Sequence, residues 1–385
     1  MTYAYEKVCQ AIKPERLRKT LLDLLSIYSP SGKEGDIQLY LGQLLTQAGF
    51  VVERQAVEGG RHNLHVTMGR GESQLYMIGH VDTVPAWDLE AFGPGQDGDI
   101  IHGLGSADMK GGCAAMVEAW LALAEALPPP DRPPVGLLLV VGEEENGDGS
   151  AAFLEACHPP PWAVIGEPTG LVACFAHYGY LEAGFVTTGI RCHSSLPERG
   201  HNAIESMLRV LMHLWGNPLF EREKSGIVYS IREMSSSRAG FVVPDRCETW
   251  IDLHLQPGKD PAVLQETIRR IAATAGQSIP GLDLQLDFDF ASLGYNLGTD
   301  NYIAQSLSAI YQSLGLPLRL DAFRSHSDGN LFFAAGSQPI ILGPGALEVA
   351  HTSAEQVSFS EVSAAADIYA ALCLEVDSPG LKRHR

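Results

Sequence analysis

Hydrophobic positions recur with a helical period through the first fifty residues. Leu17, Leu21, Leu24 and Leu25 form one stripe after Pro14, and Ile37, Leu39, Leu41, Leu44 and Leu45 form a second. Short apolar runs over 50–57, 63–68 and 74–78 read as strands. A helix is predicted over 114–126, following Lys110. The Pro-rich stretch LPPPDRPP then leads into a strand, VGLLLVV, that ends at the acidic run Glu143–Glu145. Another helix starts near Ser150, and the strand WAVIG ends at Glu167. Buried strands separated by helices predict an α/β architecture with a mainly parallel sheet flanked by helices.

From residue 180 the pattern changes. Strands over 180–188, 226–232, 247–255 and 282–290, with helices over 202–215 and 261–275, follow the order β-α-β-β-α-β. The middle strands flank a polar turn, SSSRAG. This is the ferredoxin-like plan. It predicts an inserted α+β domain at 178–293, leaving 1–177 and 294–385 to form the main domain. The last part returns to the first pattern, with helices over 302–314, near 330–335 and over 360–374, and a strand PIILG.

With 385 residues, 45% hydrophobic and 19% charged, the chain is too long for one ordinary core and too apolar for disorder. Its longest clean apolar run, Val135–Val141 with Gly136 inside it, falls short of the ~20 residues of a membrane helix. The start, MTYAYEKVCQAIKPERL, has no apolar stretch of the signal-peptide kind. The seven cysteines are scattered and never spaced C-x-x-C, which fits reduced thiols in a cytoplasmic protein. A net charge of −19 argues against nucleic acid and against an anionic membrane surface as partners. Such acidity serves solubility, or it reflects acids converging on cations.

The second possibility can be followed through the motifs. No G-x-S-x-G and no G-x-x-x-x-G-K-[ST] occurs, and H-G-L-G-S-A-D has Asp108 where a dinucleotide fingerprint needs its third glycine. Acids and histidines instead fall at the C-terminal ends of apolar strands, where open α/β sheets place their ligands. LYMIGHVDTV ends in His80 and Asp82, spaced so that both side chains leave the same side of an extended chain. An imidazole can bind a metal through one nitrogen while a carboxylate holds the other N–H. Asp108 lies in the glycine-rich turn GLGSADMKGG, Glu143, Glu144 and Glu145 follow one strand, Glu167 follows another, and His351 comes late in EVAHTSAE. Taken singly these also read as an exposed His-x-Asp pair, a helix-capping aspartate and a solvated acidic loop. Together they are oxygen and imidazole donors without thiolates, which suit Zn²⁺ or a similar divalent ion. Five ligands are too many for one catalytic zinc and suit two metals sharing a carboxylate.

GHVDTVPAWD, GLGSADMKGG, VGEEENGDGS, IGEPTG and the late GPG-x5-H resemble the M20 metallopeptidase and deacylase family, over about 15–375 and in the family's order. The family includes acetylornithine deacetylase, succinyl-diaminopimelate desuccinylase, aminoacylase and glutamate carboxypeptidase. The resemblance implies two zinc ions per subunit, with Co²⁺ a possible substitute. It implies that His80 binds one ion, Asp108 bridges both, Glu144 binds one ion and Glu167 the other, and His351 completes the shell of the second ion. Asp82 would orient His80, and Glu143 would be the general base and acid. A register shifted by one would make Glu144 the base and Glu145 the ligand. GIRCHSSLPERGHNAI resembles the family's lid segment. That implies that His193 reaches a neighbouring subunit's site, that the protein is a homodimer through the lid domain, and that Asn202 is the lid asparagine. Substrate contacts are expected from Asn202, Arg324 and Gly345. His254 stands where many members have arginine, and Arg324 and His326 stand where glycines are commoner. A cis Asp108–Met109 peptide is also expected. The activity implied is hydrolysis of the acyl amide of an N-acyl amino acid, or carboxypeptidase release of a C-terminal residue from a short peptide. A metal-binding module without catalysis would lack the base or the lid histidine, and both are present.

Overall fold

The computed structural model describes residues 3–86, 93–221, 226–237 and 240–376. The end of GHVDTVPAWD and two residues of SSSRAG lie outside them. In chain order the elements begin with α1 (Tyr3–Ala11), α2 (Pro14–Ser26), α3 (Gly35–Gln47), β1 (Glu53–Ala56), β2 (His62–Met68), β3 (Leu75–His80), β4 (Gly95–Asp97) and β5 (Ile100–His102). They continue with α4 (Lys110–Ala126), β6 (Val135–Val140), α5 (Asp148–Ala156), β7 (Trp162–Ile165), β8 (Ala173–His177), β9 (Gly179–Thr188), α6 (Ala203–Trp215), β10 (Ile227–Ser236) and β11 (Arg246–Leu255). The remainder are α7 (Pro261–Ser278), β12 (Asp283–Ser292), β13 (Tyr295–Asn296), α8 (Tyr302–Leu314), β14 (Leu320–Phe323), α9 (Asp328–Ala334), β15 (Gln338–Ile341), β16 (Gln356–Ser358) and α10 (Phe359–Glu375). Among the described residues, no helix is long and apolar enough to cross a membrane.

Two compact units result: Met1–Ala176 with Leu297–Phe323 and Ser327–Arg385, and His177–Asn296 with Arg324–His326. In the first, strands run in the order β1-β2-β6-β3-β7-β15-β8, with β14 beside β8. The parallel part is its centre, β6-β3-β7-β15, whereas β1, β2 and β8 join antiparallel. The sheet is therefore mixed, parallel where it is buried on both faces. Side chains alternate accordingly. Leu75, Met77, Leu137, Leu139 and Val164 face a core shared with α1, α2, α4, α8 and α10. Tyr76, Ile78, Leu138, Val140 and Ile165 face Phe153 of α5 and Phe332 of α9. The first fourteen residues of α4 are buried on every side, which its Ala-rich, apolar sequence permits. Burial of each large aliphatic side chain here contributes about 1.5–3 kcal/mol. The three-residue strands β4, β5 and β16 form a small antiparallel sheet that periodicity does not reveal.

The second unit is an antiparallel sheet in the order β10-β11-β9-β12. With α6 and α7 this is the ferredoxin-like arrangement. Leu181, Phe185, Ile251 and Leu253 face the two helices, and the alternate positions Tyr180, Glu182, Asp252 and His254 point to the other face.

Candidate metal centre

Three of the parallel strands of the first unit, β3, β6 and β7, lead at their C-terminal ends to ligand-type side chains, and β15 beside them leads to Gly343. His80 ends β3 and is 1% exposed. Its Nδ1 lies 3.1 Å from the main-chain oxygen of Asp82. A carbonyl oxygen can only accept, so Nδ1 carries the proton and Nε2 presents its lone pair. That lone pair faces Asp108 Oδ1 at 3.1 Å, Glu167 Oε1 at 3.7 Å and Glu143 Oε2 at 4.0 Å. A lone pair facing three carboxylates is satisfied only by positive charge between them, a metal ion or a proton on Nε2.

Asp82 meets the His80 ring through its main-chain carbonyl rather than its side chain. Its carboxylate is 3.7 Å from Nδ1 and is otherwise engaged. Oδ1 accepts the Glu143 N–H at 3.2 Å, and Oδ2 accepts the Glu144 N–H at 3.0 Å and the Ser31 hydroxyl at 2.7 Å. One buried acid thus supports the histidine and also pins the two glutamates after β6.

Asp108 precedes α4 in a turn whose Asp108–Met109 peptide is cis. Its oxygens divide between two histidines: Oδ1 faces His80, and Oδ2 lies 3.3 Å from His351 Nε2. His351 Nε2 is also 3.0 Å from Glu144 Oε2. His80, Asp108 and Glu144 offer ligand atoms all within 4.8 Å of one another. Glu145 is exposed, outside the cluster. The strand ends approach closely because glycines meet there. A Cβ on Gly112 would lie 2.3 Å, and one on Gly343 2.2 Å, from the Gly166 carbonyl oxygen, just before Glu167.

The electrostatics report a site built for positive charge. Burial, reinforced by neighbouring acids, raises the Glu143 and Glu144 carboxyls and pushes Glu167 up to about 8. Burial would also raise Asp108, but His351 and His80 hold it well below the usual range. Burial would lower both histidines, yet Glu167 and Asp108 raise His80, and Asp108 and Glu144 push His351 up to about 11. Among the described residues, the ion pairs of these four acids are made with His80 and His351 alone. Glu167 Oε1 is buried without a hydrogen-bond donor. The donor set and this orphaned oxygen fit divalent metal ions.

Gly345, at φ 85°, donates its N–H to Glu361 at 2.9 Å, and a Cβ there would meet Ala107 at 2.9 Å, beside the Asp108 turn. The other expected site residues belong to the second unit. His193 is exposed, with Nδ1 2.8 Å from the Ser195 hydroxyl. Asn202 caps α6, its Oδ1 accepting from the N–H groups of Ile204 and Glu205 at 3.0 and 3.3 Å. Arg324 is exposed, and His326 stacks on Tyr180 with ring centroids 4.3 Å apart. Sequence reasoning missed Glu355, a buried acid that accepts main-chain N–H groups of the Asp108 turn. Bonds to main chain leave no residue-type signature that could have revealed it.

Peptidase family M20/M25/M40 matches residues 76–375 of the chain. An acetylornithine deacetylase of Pectobacterium atrosepticum is 29% identical over 324 residues, covering 80% of this chain and 82% of its own. A probable carboxypeptidase of Aspergillus clavatus is 26% identical over 379 residues, covering 91% and 86%. A tripeptidase of Staphylococcus aureus superposes with a TM-score of 0.80 at 21% identity, covering 95% of this chain and 99% of that one. With the match spanning most of its length and the acid–histidine cluster in place, the chain belongs to peptidase family M20/M25/M40 and is a metal-dependent hydrolase of amide bonds.

Proposed function

We propose that the protein is a two-zinc amidohydrolase that removes the acyl group from an N-acyl amino acid. The observation that carries the two-metal reading is Asp108, whose two oxygens face two different histidines, each accompanied by its own glutamate. His80, Glu167 and Asp108 would hold one ion, and Glu144, His351 and Asp108 the other, with Co²⁺ a possible substitute. Such ions polarise an amide carbonyl and lower the pKa of water from 15.7 to about 7.

The chain's own groups would do the rest. Glu143, buried beside the ligands, takes a proton from water as its oxygen attacks the amide carbon. The same carboxyl passes that proton to the nitrogen as the C–N bond breaks, so acid and amine leave with the proton count balanced. Asp82 holds the main chain of Glu143 and Glu144 in place throughout. His193 would stabilise the developing oxyanion in the site of a second subunit, with Asn202, Arg324 and Gly345 contacting substrate. The homodimer this needs is supported by the second unit's surface. Leu208, Met212 and Trp215 are 46%, 67% and 45% exposed along one face of α6, and β10 is an edge strand. Seven free cysteines fit a cytoplasmic location.

The deacylase reading draws on the acetylornithine deacetylase likeness. The carboxypeptidase likeness, which covers more of the chain, supports a second reading, release of a C-terminal amino acid. Both need the same centre. Hydrolysis of N-acetyl, N-succinyl and N-formyl amino acids, set against dipeptides, with Zn²⁺ or Co²⁺ added, tests the proposal. Turnover of an acyl amino acid is expected. Turnover of dipeptides only would establish the second reading, and full activity of metal-free protein would overturn both.

A further inference from the structure

We propose that Glu355 is a positioning residue of the metal centre, clamping the Asp108 turn to the segment that carries His351 and so setting the geometry of the second metal subsite. The inference rests on the two-metal reading above. Glu355 is 5% exposed. Its Oε2 accepts from Gly105 N at 2.9 Å, and its Oε1 accepts from Ala107 N and Asp108 N at 3.0 Å each. Its own backbone is tied on both sides. The Glu355 N–H donates to Thr352 O at 3.2 Å, and Gly103 N donates to Glu355 O at 3.3 Å. The next residue begins β16, where Gln356 pairs with His102 of β5.

These bonds join two stretches far apart in sequence that must meet at one point. Asp108 supplies an oxygen to the subsite that His351 completes, and His351 lies four residues before Glu355. His351 itself holds a left-handed backbone, φ 60°, that a non-glycine residue adopts only when its surroundings impose it. Lys110, the nearby buried cation, donates instead to the carbonyls of Leu24 and Ile27, at 3.1 and 2.8 Å. The carboxylate is therefore dedicated to the three N–H groups. Glutamine has the same shape but one acceptor oxygen. Its NH₂ would face an N–H, so at least one of the three donors would lose its partner.

The test is metal binding to the whole chain, read without turnover. Chelated wild type, E355Q and E118Q are titrated with Zn²⁺ against a chromophoric chelator, and the visible spectra of their Co²⁺ forms are compared. Glu118 is a second buried carboxylate of the same unit, within α4, and is bound to Lys13 N and Arg16 rather than to any residue of the cluster. Its variant reports general loosening. The expected result is two equivalents in wild type, a loss of about 10–100-fold in the affinity of one equivalent in E355Q, and wild-type binding by E118Q. The Co²⁺ spectrum should change for E355Q alone. Wild-type affinities in E355Q, or an equal loss in E118Q, would overturn the proposal while leaving the two-metal reading intact. One equivalent in wild type would overturn that reading itself. Should E355Q not fold, E355D, which keeps the charge but withdraws it by one methylene, is read the same way. Failure of both to fold beside a folded E118Q would assign Glu355 to folding and reject the proposal.

Discussion

Replacing Glu143 by glutamine keeps its shape and removes its capacity to take a proton. The side chain is 9% exposed, and its N–H is anchored on Asp82, so the amide should keep its place. Its Oε2 stands 4.0 Å from His80 Nε2, farther than the 3.1 and 3.7 Å of the acids assigned as ligands there. General acid–base catalysis contributes about 10²–10⁴-fold, or roughly 2.7–5.4 kcal/mol of barrier. E143Q should therefore lose at least about 10²-fold in kcat while its metal content, measured by elemental analysis, stays at the wild-type level. Two companions sharpen the test. Glu144 touches His351, so E144Q should lose metal as well as activity. Glu145 is exposed, so E145Q should match wild type in both. If E144Q kept its metal but not its turnover, and E145Q lost metal, base and ligand would each move one residue along the chain and the assignment would be wrong.

Exhaustive chelation should abolish hydrolysis, and Zn²⁺ or Co²⁺ should restore it; activity that survives verified removal of metal contradicts the mechanism. In the second unit, burial depresses the fully enclosed His177 imidazole to about 3. The unfolded chain then binds the extra proton below about 6.5, so this contribution is complete above that pH and declines down to pH 3, by about 1.4 kcal/mol per unit. H177N should lose less thermal stability than wild type between pH 7 and pH 5, and parallel slopes would refute this account. Gly343→Ala places a methyl group on the Gly166 and Glu167 carbonyl oxygens, so metal content should fall together with Tm; unchanged metal binding would show that the strand ends can move apart. Met212→Glu puts charge on the apolar face of α6 and should yield monomer by light scattering, whereas a wild type that is already monomeric removes the dimer from the proposal.

Much of this architecture was legible because long elements leave long patterns. The helical stripes, the central strands and the β-α-β-β-α-β order depend on spacing over four or more residues. The His80, Asp108, Glu143–Glu144, Glu167 and His351 segments were conspicuous only as a set, since each alone also reads as an exposed pair, a helix cap or a solvated acidic loop. Apart from the nine-residue α1 ahead of Pro14, what escaped notice was mostly short or made of main chain. Strands β4, β5 and β16 have three residues each, too few to show alternation. The antiparallel entry of β1 and β2 depends on connections that composition does not encode. His80 is steered by a carbonyl that every residue possesses, and Glu355 is bonded to amides of the same generality. The split of Asp82 between these tasks follows from three dimensions only.

The glycine contacts beneath the ligands have a consequence for how such an enzyme can change. Where Gly112 and Gly343 meet Gly166, peptide rests on peptide, and the smallest chemical increment available, one methyl group, already exceeds the gap. A joint of this kind has no gradual settings. The foundation must be inherited whole, and new substrate preferences have to be built on the rim, where a larger or smaller side chain displaces nothing underneath.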